Sequence, residues 1–311
     1  MNFQFITKKI VSFFFLGSLF LCNTTIYAEP LAKPLVRSLF FKAGDKASYK
    51  IFQKADFEID FGKEEFLNGV LYRQLEETIV LDIEILSSNQ QTFSYPFDVK
   101  VTLRKLLINN AEQHEESSEI MKYDSSVSEI SKNRIEECFD KLINYSLIFR
   151  LEKEFEAKEN TGRLDQFYKE FNALDSDFTC ITLLHFDCLF AQLFHLSGEN
   201  LLLSHSYPVS YPVPQDRADD EDVIWYQDSA YRINAIKAKK IESSWQGNVK
   251  LASPDWSTDT DVSFVGNVIW DIANPMIQKR DLDVQVDVKI EEQDFFKMSL
   301  QQIVESTPLI N

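Results

Sequence analysis

The sequence predicts an α+β fold: antiparallel β meanders forming a curved sheet or open half-barrel, with a helical segment over about 126–197 packed on its concave face. Three observations carry that prediction. Apolar residues alternate with polar ones over long runs in both halves of the chain. The period turns helical in the middle, and strands gathered in runs on either side of helices argue against a parallel α/β sheet.

The first run holds Ala47, Tyr49, Ile51, Ala55, Phe57, Ile59 and Phe61 on alternate positions. A period of two over that length is a half-buried strand. Leu71, Leu75, Ile79, Leu81, Ile83 and Ile85 repeat the rhythm, and so do Phe93, Tyr95, Phe97, Val99, Val101 and Leu103. Short polar links at 62–65 and 87–91 make the three an antiparallel meander with one wet and one dry face.

The middle reads differently. Ser126-Val-Ser-Glu129 fits a capping box, and Ile135, Cys138, Phe139 and Leu142 follow at helical spacing. Tyr145, Leu147, Phe149, Leu151 and Phe155 suit one more strand, and Leu164, Phe167, Tyr168 and Phe171 form an amphipathic helical stripe. Phe178 to Leu196 is apolar nearly all round, flanked by Asp175–Asp177 and Gly198. Its Asp187, His185, Gln192 and His195 would be costly in lipid, so it reads as a helix buried against the sheet.

Residues 204–222 read as a connector, with Ser206-Tyr-Pro-Val and Ser210-Tyr-Pro-Val back to back before an acidic run. Beyond it the alternation resumes through Tyr231, Ile233 and Ala235; Trp245, Val249 and Leu251; Val262, Phe264, Val268 and Trp270; and Leu282 to Ile290. A last strand holds Phe296, Met298 and Leu300. The expected organisation is a signal over 1–28, a meander with helices over 29–203, the connector over 204–222 and a second meander over 223–311, with 29–311 open to being one domain.

The first 28 residues have the anatomy of a cleavable export signal. Lys8 and Lys9 precede the apolar core Ile10–Leu21, and a more polar stretch ends at Ala28. The core is too short to span a bilayer as an anchor. Cleavage after Ala28 leaves Glu29 first. A retained anchor and lipid attachment at Cys22 are the alternative routes, and Leu21 is a bulky residue for the second. Without those residues the formal charge moves from −17 to −19. So acidic a chain is repelled by phosphate backbones, which excludes nucleic acid as a partner. The 26 Phe and 11 Tyr against 8 Gly describe a packed domain.

Cys138, Cys180 and Cys188 remain after cleavage, too few for a disulfide framework. They read either as buried thiols or as one bridge, and closing Cys138 to Cys188 would contribute about 4 kcal/mol. Cys180, His185, Cys188 and His195 carry zinc-type ligands, but one continuous helix cannot wrap four of them around an ion. Asp255, Asp259 and Asp261 lack the glycine and distal glutamate of a calcium loop and read as a solvated turn. No metal site and no cofactor is expected.

Enzyme signatures are missing where they are easiest to see. There is no Gly-x-Ser-x-Gly elbow, His-Glu-x-x-His, phosphate loop or dinucleotide fingerprint. His114, His185, His195 and His205 are the only imidazoles. The expectation is a protein that is not an enzyme.

Gly44-Asp45 ahead of the Tyr49 strand, the long second strand ending near Ser87, and Tyr123-Asp124-Ser125 carry a resemblance. With the β-rich closing half, they resemble a broad family of exported bacterial proteins of unknown function, over roughly residues 40–304. The resemblance implies bacterial export and a β-rich fold, and it brings no catalytic residues.

The functional reading is an exported, periplasmic or secreted binding module that takes an apolar, lipid-like small molecule or an envelope protein. A sheet rich in Phe and Tyr under an apolar helix can open for an acyl chain, as in the half-barrels that carry lipids in bacterial envelopes, by analogy of architecture. Phe186, Phe190 and Phe194, at i, i+4 and i+8, are the expected ligand-facing stripe. The alternatives are a structural or assembly protein of the envelope and a hydrolase working through a carboxylate pair.

Overall fold

Alternation of apolar and polar residues becomes strand geometry through most of the chain. The computed structural model describes residues 36–38, 42–64, 67–87, 97–114, 117–127, 133–151, 157–172, 193, 200–213, 224–252, 258–271, 277–290 and 293–309. The first elements are β1 (Val36–Ser38), β2 (Lys46–Glu64), β3 (Leu67–Ser87), β4 (Phe97–His114) and β5 (Ser117–Asp124). Helix α1 (Arg134–Asp140), β6 (Ser146–Leu151), β7 (Ala157–Glu159), helix α2 (Arg163–Asn172) and β8 (Asn200–Leu202) follow. Then come β9 (Ser206–Val213), β10 (Ile224–Ile236), β11 (Lys240–Ala252), β12 (Thr258–Asp271), β13 (Ile277–Ile290) and β14 (Gln293–Pro308).

Twelve strands form one sheet in the order β7-β6-β4-β3-β2-β14-β13-β12-β11-β10-β9, with β5 also paired to β4. Every pairing in it is antiparallel. Sheet neighbours are mostly neighbours along the chain, save that β6 pairs with β4 past β5, and at one seam. There β14 lies against β2, in register from Pro308 opposite Ala47 to Phe296 opposite Ile59. The end strands β7 and β9 do not pair with each other, so the sheet is open among the described residues. Strands β1 and β8 form a separate pair.

The expected α+β class is corrected: this is an all-β antiparallel architecture. The two described helices have seven and ten residues. At 1.5 Å per residue they reach roughly 10–15 Å, whereas strands about 4.8 Å apart make a twelve-stranded sheet several times wider. They serve one end only. Phe139 of α1 packs its ring 5.2 Å from Tyr123 on β5 and 6.2 Å from Phe167 on α2. Tyr123 donates from its hydroxyl to Asp140 Oδ1 at 2.8 Å.

Helix α1 starts later than the sequence suggested. Asn133 is its cap: its side chain accepts from Glu136 N at 2.9 Å, and the Glu136 carboxylate accepts from Asn133 N at 2.7 Å. Ser126 sits in the turn after β5, donating backbone N and hydroxyl to Asp124. Part of the expected connector is sheet, since Ser206–Val213 is the edge strand β9. Of Phe178–Leu196 only Leu193 is described, and it is buried.

One sheet face is dry. On β2, Ala47, Tyr49, Ile51, Ala55 and Ile59 are buried, and Ile79, Val99, Trp245, Val268, Val284 and Val304 continue the layer across neighbouring strands. Register shifts between β3 and β4, β10 and β11, and β12 and β13 add bend and twist to the sheet. The other face is wet, with Lys46–Glu84, Lys54–Glu76, Arg104–Asp82 and Arg150–Asp98 bridging adjacent strands at 3.2, 3.9, 2.6 and 3.5 Å. A transmembrane barrel turns an apolar band outward. These strands turn charge outward instead.

Candidate functional site

The dry face carries one row that breaks its own rule. Read across the strands, Glu77 on β3 faces Gln53 on β2, and Gln53 faces Gln302 on β14. The row continues through Leu282 on β13, Gly266 on β12, Trp245 on β11 and Tyr231 on β10. Arg280 stands two residues before Leu282 on the same face, opposite Val304 and Val268. Gln302 and Arg280 are 0% and 1% exposed. Strand geometry places all of them inward, because side chains two apart share a face.

Arg280 is barely satisfied. Its Nη2 donates to Gln302 Oε1, while Nε and Nη1 find no partner. No carboxylate pairs with it among the described residues. Burial pulls its pKa down to about 10, against the favourable influence of the Tyr231 and Tyr49 phenols. It therefore stays charged at neutral pH. Burial pushes the Tyr49 hydroxyl well above its ordinary value, with Arg280 pulling the other way.

Other polar atoms of this face are orphaned too. Gln302 Nε2, Trp245 Nε1 and Trp270 Nε1 are donors without acceptors, Gln53 Oε1 lacks a donor, and the Tyr49 and Ser243 hydroxyls are unpartnered. Buried polar groups in folded proteins almost always find a partner, so such a concentration calls for an explanation. Beside it lies an aromatic floor. Tyr231 stacks on Trp245 at 5.2 Å and 7°, Trp245 meets Phe264 at 4.6 Å, and Tyr231 meets Trp270 at 6.2 Å. Gly266 permits the close approach of β12 to β13, since a Cβ there would lie 2.5 Å from the Asp281 carbonyl.

Two shallow clefts lie elsewhere. One of about 430 Å³ is lined by Glu76, Lys122, Asp124 and Glu136, and one of about 480 Å³ by Tyr72, Arg73, Glu112 and Ile120. Arg73 and Glu112 neutralise each other across β3 and β4.

Phe186, Phe190 and Phe194 lie outside the described residues, as do Cys180, His185, Cys188, His195 and Asp255. Asp259 and Asp261 are on β12 opposite Lys289 and Asp287, in a strand and not the expected turn. No group of three or more His, Cys, Asp or Glu is placed to hold a metal among the described residues. Cys138 is a free, buried thiol in α1, its pKa raised by burial. His205 meets Tyr207 edge-on at 5.1 Å.

Sequence reasoning missed the Arg280 row, although a signal was present. Gln53 falls between Ile51 and Ala55, Glu77 between Leu75 and Ile79, and Gln302 between Leu300 and Val304, each on an inward position.

No protein-family model and no curated protein matches the chain. Among solved structures, one of lipid–protein interactions in lipovitellin overlaps 87% of this chain at 9% identity with a TM-score of 0.48. The chain spans only 26% of that protein's length. An outer membrane channel of Pseudomonas putida F1 overlaps 90% of this chain and 100% of its own, at 7% identity and a TM-score of 0.21. Pseudomonas aeruginosa OccK7 overlaps 86% of this chain and 100% of its own, at 7% identity and 0.24.

Proposed function

We propose that this chain is an exported, non-catalytic binding protein of the cell envelope, taking an apolar, lipid-like ligand against the dry face of its open sheet. The observation that carries the reading is that face itself. It runs across the strands of the sheet as a buried apolar layer, and it holds an aromatic floor with a cluster of polar groups left without partners. Ligand sites combine apolar walls with a few placed polar groups in this way. The first 28 residues support export, and the outward-facing ion pairs suit a protein whose outer surface stays in water.

Native mass spectrometry of the protein purified from its own envelope, followed by solvent extraction, tests it. The expected result is a co-purifying apolar molecule at stoichiometric mass shift. A clean mass, together with no response to added oleyl alcohol, overturns the reading.

A further inference from the structure

We infer that Arg280 and its neighbours form the head-group site for an amphiphile carrying one oxyanion, a carboxylate or phosphate monoester. The inference rests on the proposed ligand-binding role of the dry face.

Charge is the first argument. A guanidinium taken wholly out of water is tolerated when an anion and further hydrogen bonds replace its hydration. Here one neutral amide does so in part, and two guanidinium nitrogens remain open. The second argument is the sign of the deficit. Five orphaned atoms, Arg280 Nε and Nη1, Gln302 Nε2, Trp245 Nε1 and Trp270 Nε1, are donors, against the one pure acceptor Gln53 Oε1 and the Tyr49 and Ser243 hydroxyls. A water molecule can satisfy neutral orphans. It cannot supply the missing negative charge. A carboxylate does both, accepting charge-assisted bonds while neutralising the arginine.

Position is the third. Gln302 and Trp270 are on the strands flanking β13, and Trp245 is two strands away, all on the same face as Arg280. That places them within roughly two strand spacings, about 10 Å. Leu282, Val284 and Val286 lead away from Arg280 along β13, with Leu300 and Met298 beside them on β14, all buried. An acyl chain anchored at Arg280 would run along that path. No covalent chemistry is involved.

The test uses the full mature chain and three probes with the same tail: oleate, 1-oleoyl lysophosphatidate and oleyl alcohol. Binding is followed by calorimetry and tryptophan fluorescence. Oleate or lysophosphatidate is expected to bind at least tenfold more tightly than oleyl alcohol, and the tighter of the two identifies the carboxylate or phosphate source. In Arg280→Met the ratio of anion to alcohol affinity should fall toward one.

Equal binding of all three probes by the wild type would overturn the anion site and leave the apolar-ligand reading standing. Binding of none would overturn both. Should Arg280→Met fail to fold by circular dichroism, Gln302→Leu carries the test, since it keeps the charge and removes its one partner. A several-fold change in the anion-to-alcohol ratio is expected there, and an unchanged ratio overturns the inference.

Discussion

The Arg280 guanidinium donates to the side-chain carbonyl of Gln302 on the next strand, and that amide is its one hydrogen-bond partner among the described residues. A formally charged group on a dry sheet face thus depends on a neutral amide. Gln302 is itself wholly buried, and its Nε2 is left open.

Removing the charge should help the ligand-free fold. Arg280→Met keeps much of the volume and deletes an uncompensated ion, so a gain of about 1–4 kcal/mol is expected in urea unfolding. Gln302→Leu strands the arginine completely and should lose about 1–3 kcal/mol. A strongly destabilising Arg280→Met would contradict the uncompensated state of this charge.

Gly266→Ala inserts a methyl 2.5 Å from the Asp281 carbonyl and 3.2 Å from Leu282 Cδ1. Backbone cannot yield as a flexible side chain does, so β12 and β13 must separate locally. A loss of about 1–3 kcal/mol is expected. An unchanged denaturation midpoint would contradict the close packing of these strands.

At the helical end, Asn133→Ala removes the cap of α1 and Tyr123→Phe removes the bond to Asp140. Each should lower stability by about 1 kcal/mol. Because both act on the same short helix, a double-mutant cycle should reveal coupling between them.

The Asp124 carboxyl is held below its ordinary pKa by the Ser126 hydroxyl and, next, the Ser126 backbone N–H. A depressed folded-state value stabilises the fold above the unfolded pKa of about 4, and that contribution disappears as the pH falls through the lower folded value. Ser126→Ala should move the Asp124 titration upward in NMR and flatten the acid limb of stability below about pH 4. No movement of the Asp124 resonance would contradict the assigned bond.

Among the described residues, strand β9 ends the sheet, with Pro208 opposite Ala230 and Pro212 opposite Tyr226. Four residues apart, both prolines have their nitrogens on the same side of the strand, and neither has an N–H. Continuous pairing to β10 places that side outward, so the free edge is short of donors and resists adding a strand. Pro208→Val with Pro212→Val should promote concentration-dependent association in size-exclusion chromatography. A strictly monomeric double variant would contradict this.

The strands were legible because burial on one face leaves a period of two in the sequence, as Ala47, Tyr49 and Ile51 or Leu282, Val284 and Val286 show. The architecture was less so. Ile135, Cys138, Phe139 and Leu142 do belong to a helix and the turn after it, but periodicity cannot tell a seven-residue helix from a covering layer. The SYPVSYPV repeat reads as linker because proline disfavours central strands, whereas an edge tolerates it. The Arg280 row lay in the gaps between apolar residues. A polar residue on an inward position looks like noise along one strand, and only the lateral register joins Gln53, Gln302 and Arg280 into a site.

The β2–β14 seam has a consequence for how the molecule is made. A ribosome delivers β14 last of these strands, yet it belongs between β2 and β13 in the middle of the sheet. The two halves cannot join until the intervening chain, residues 65–292, has been released, and pairing over such a separation is slow. A polypeptide that must wait for its final strand remains threadable through a translocation channel, and clipping that strand would split the sheet in two.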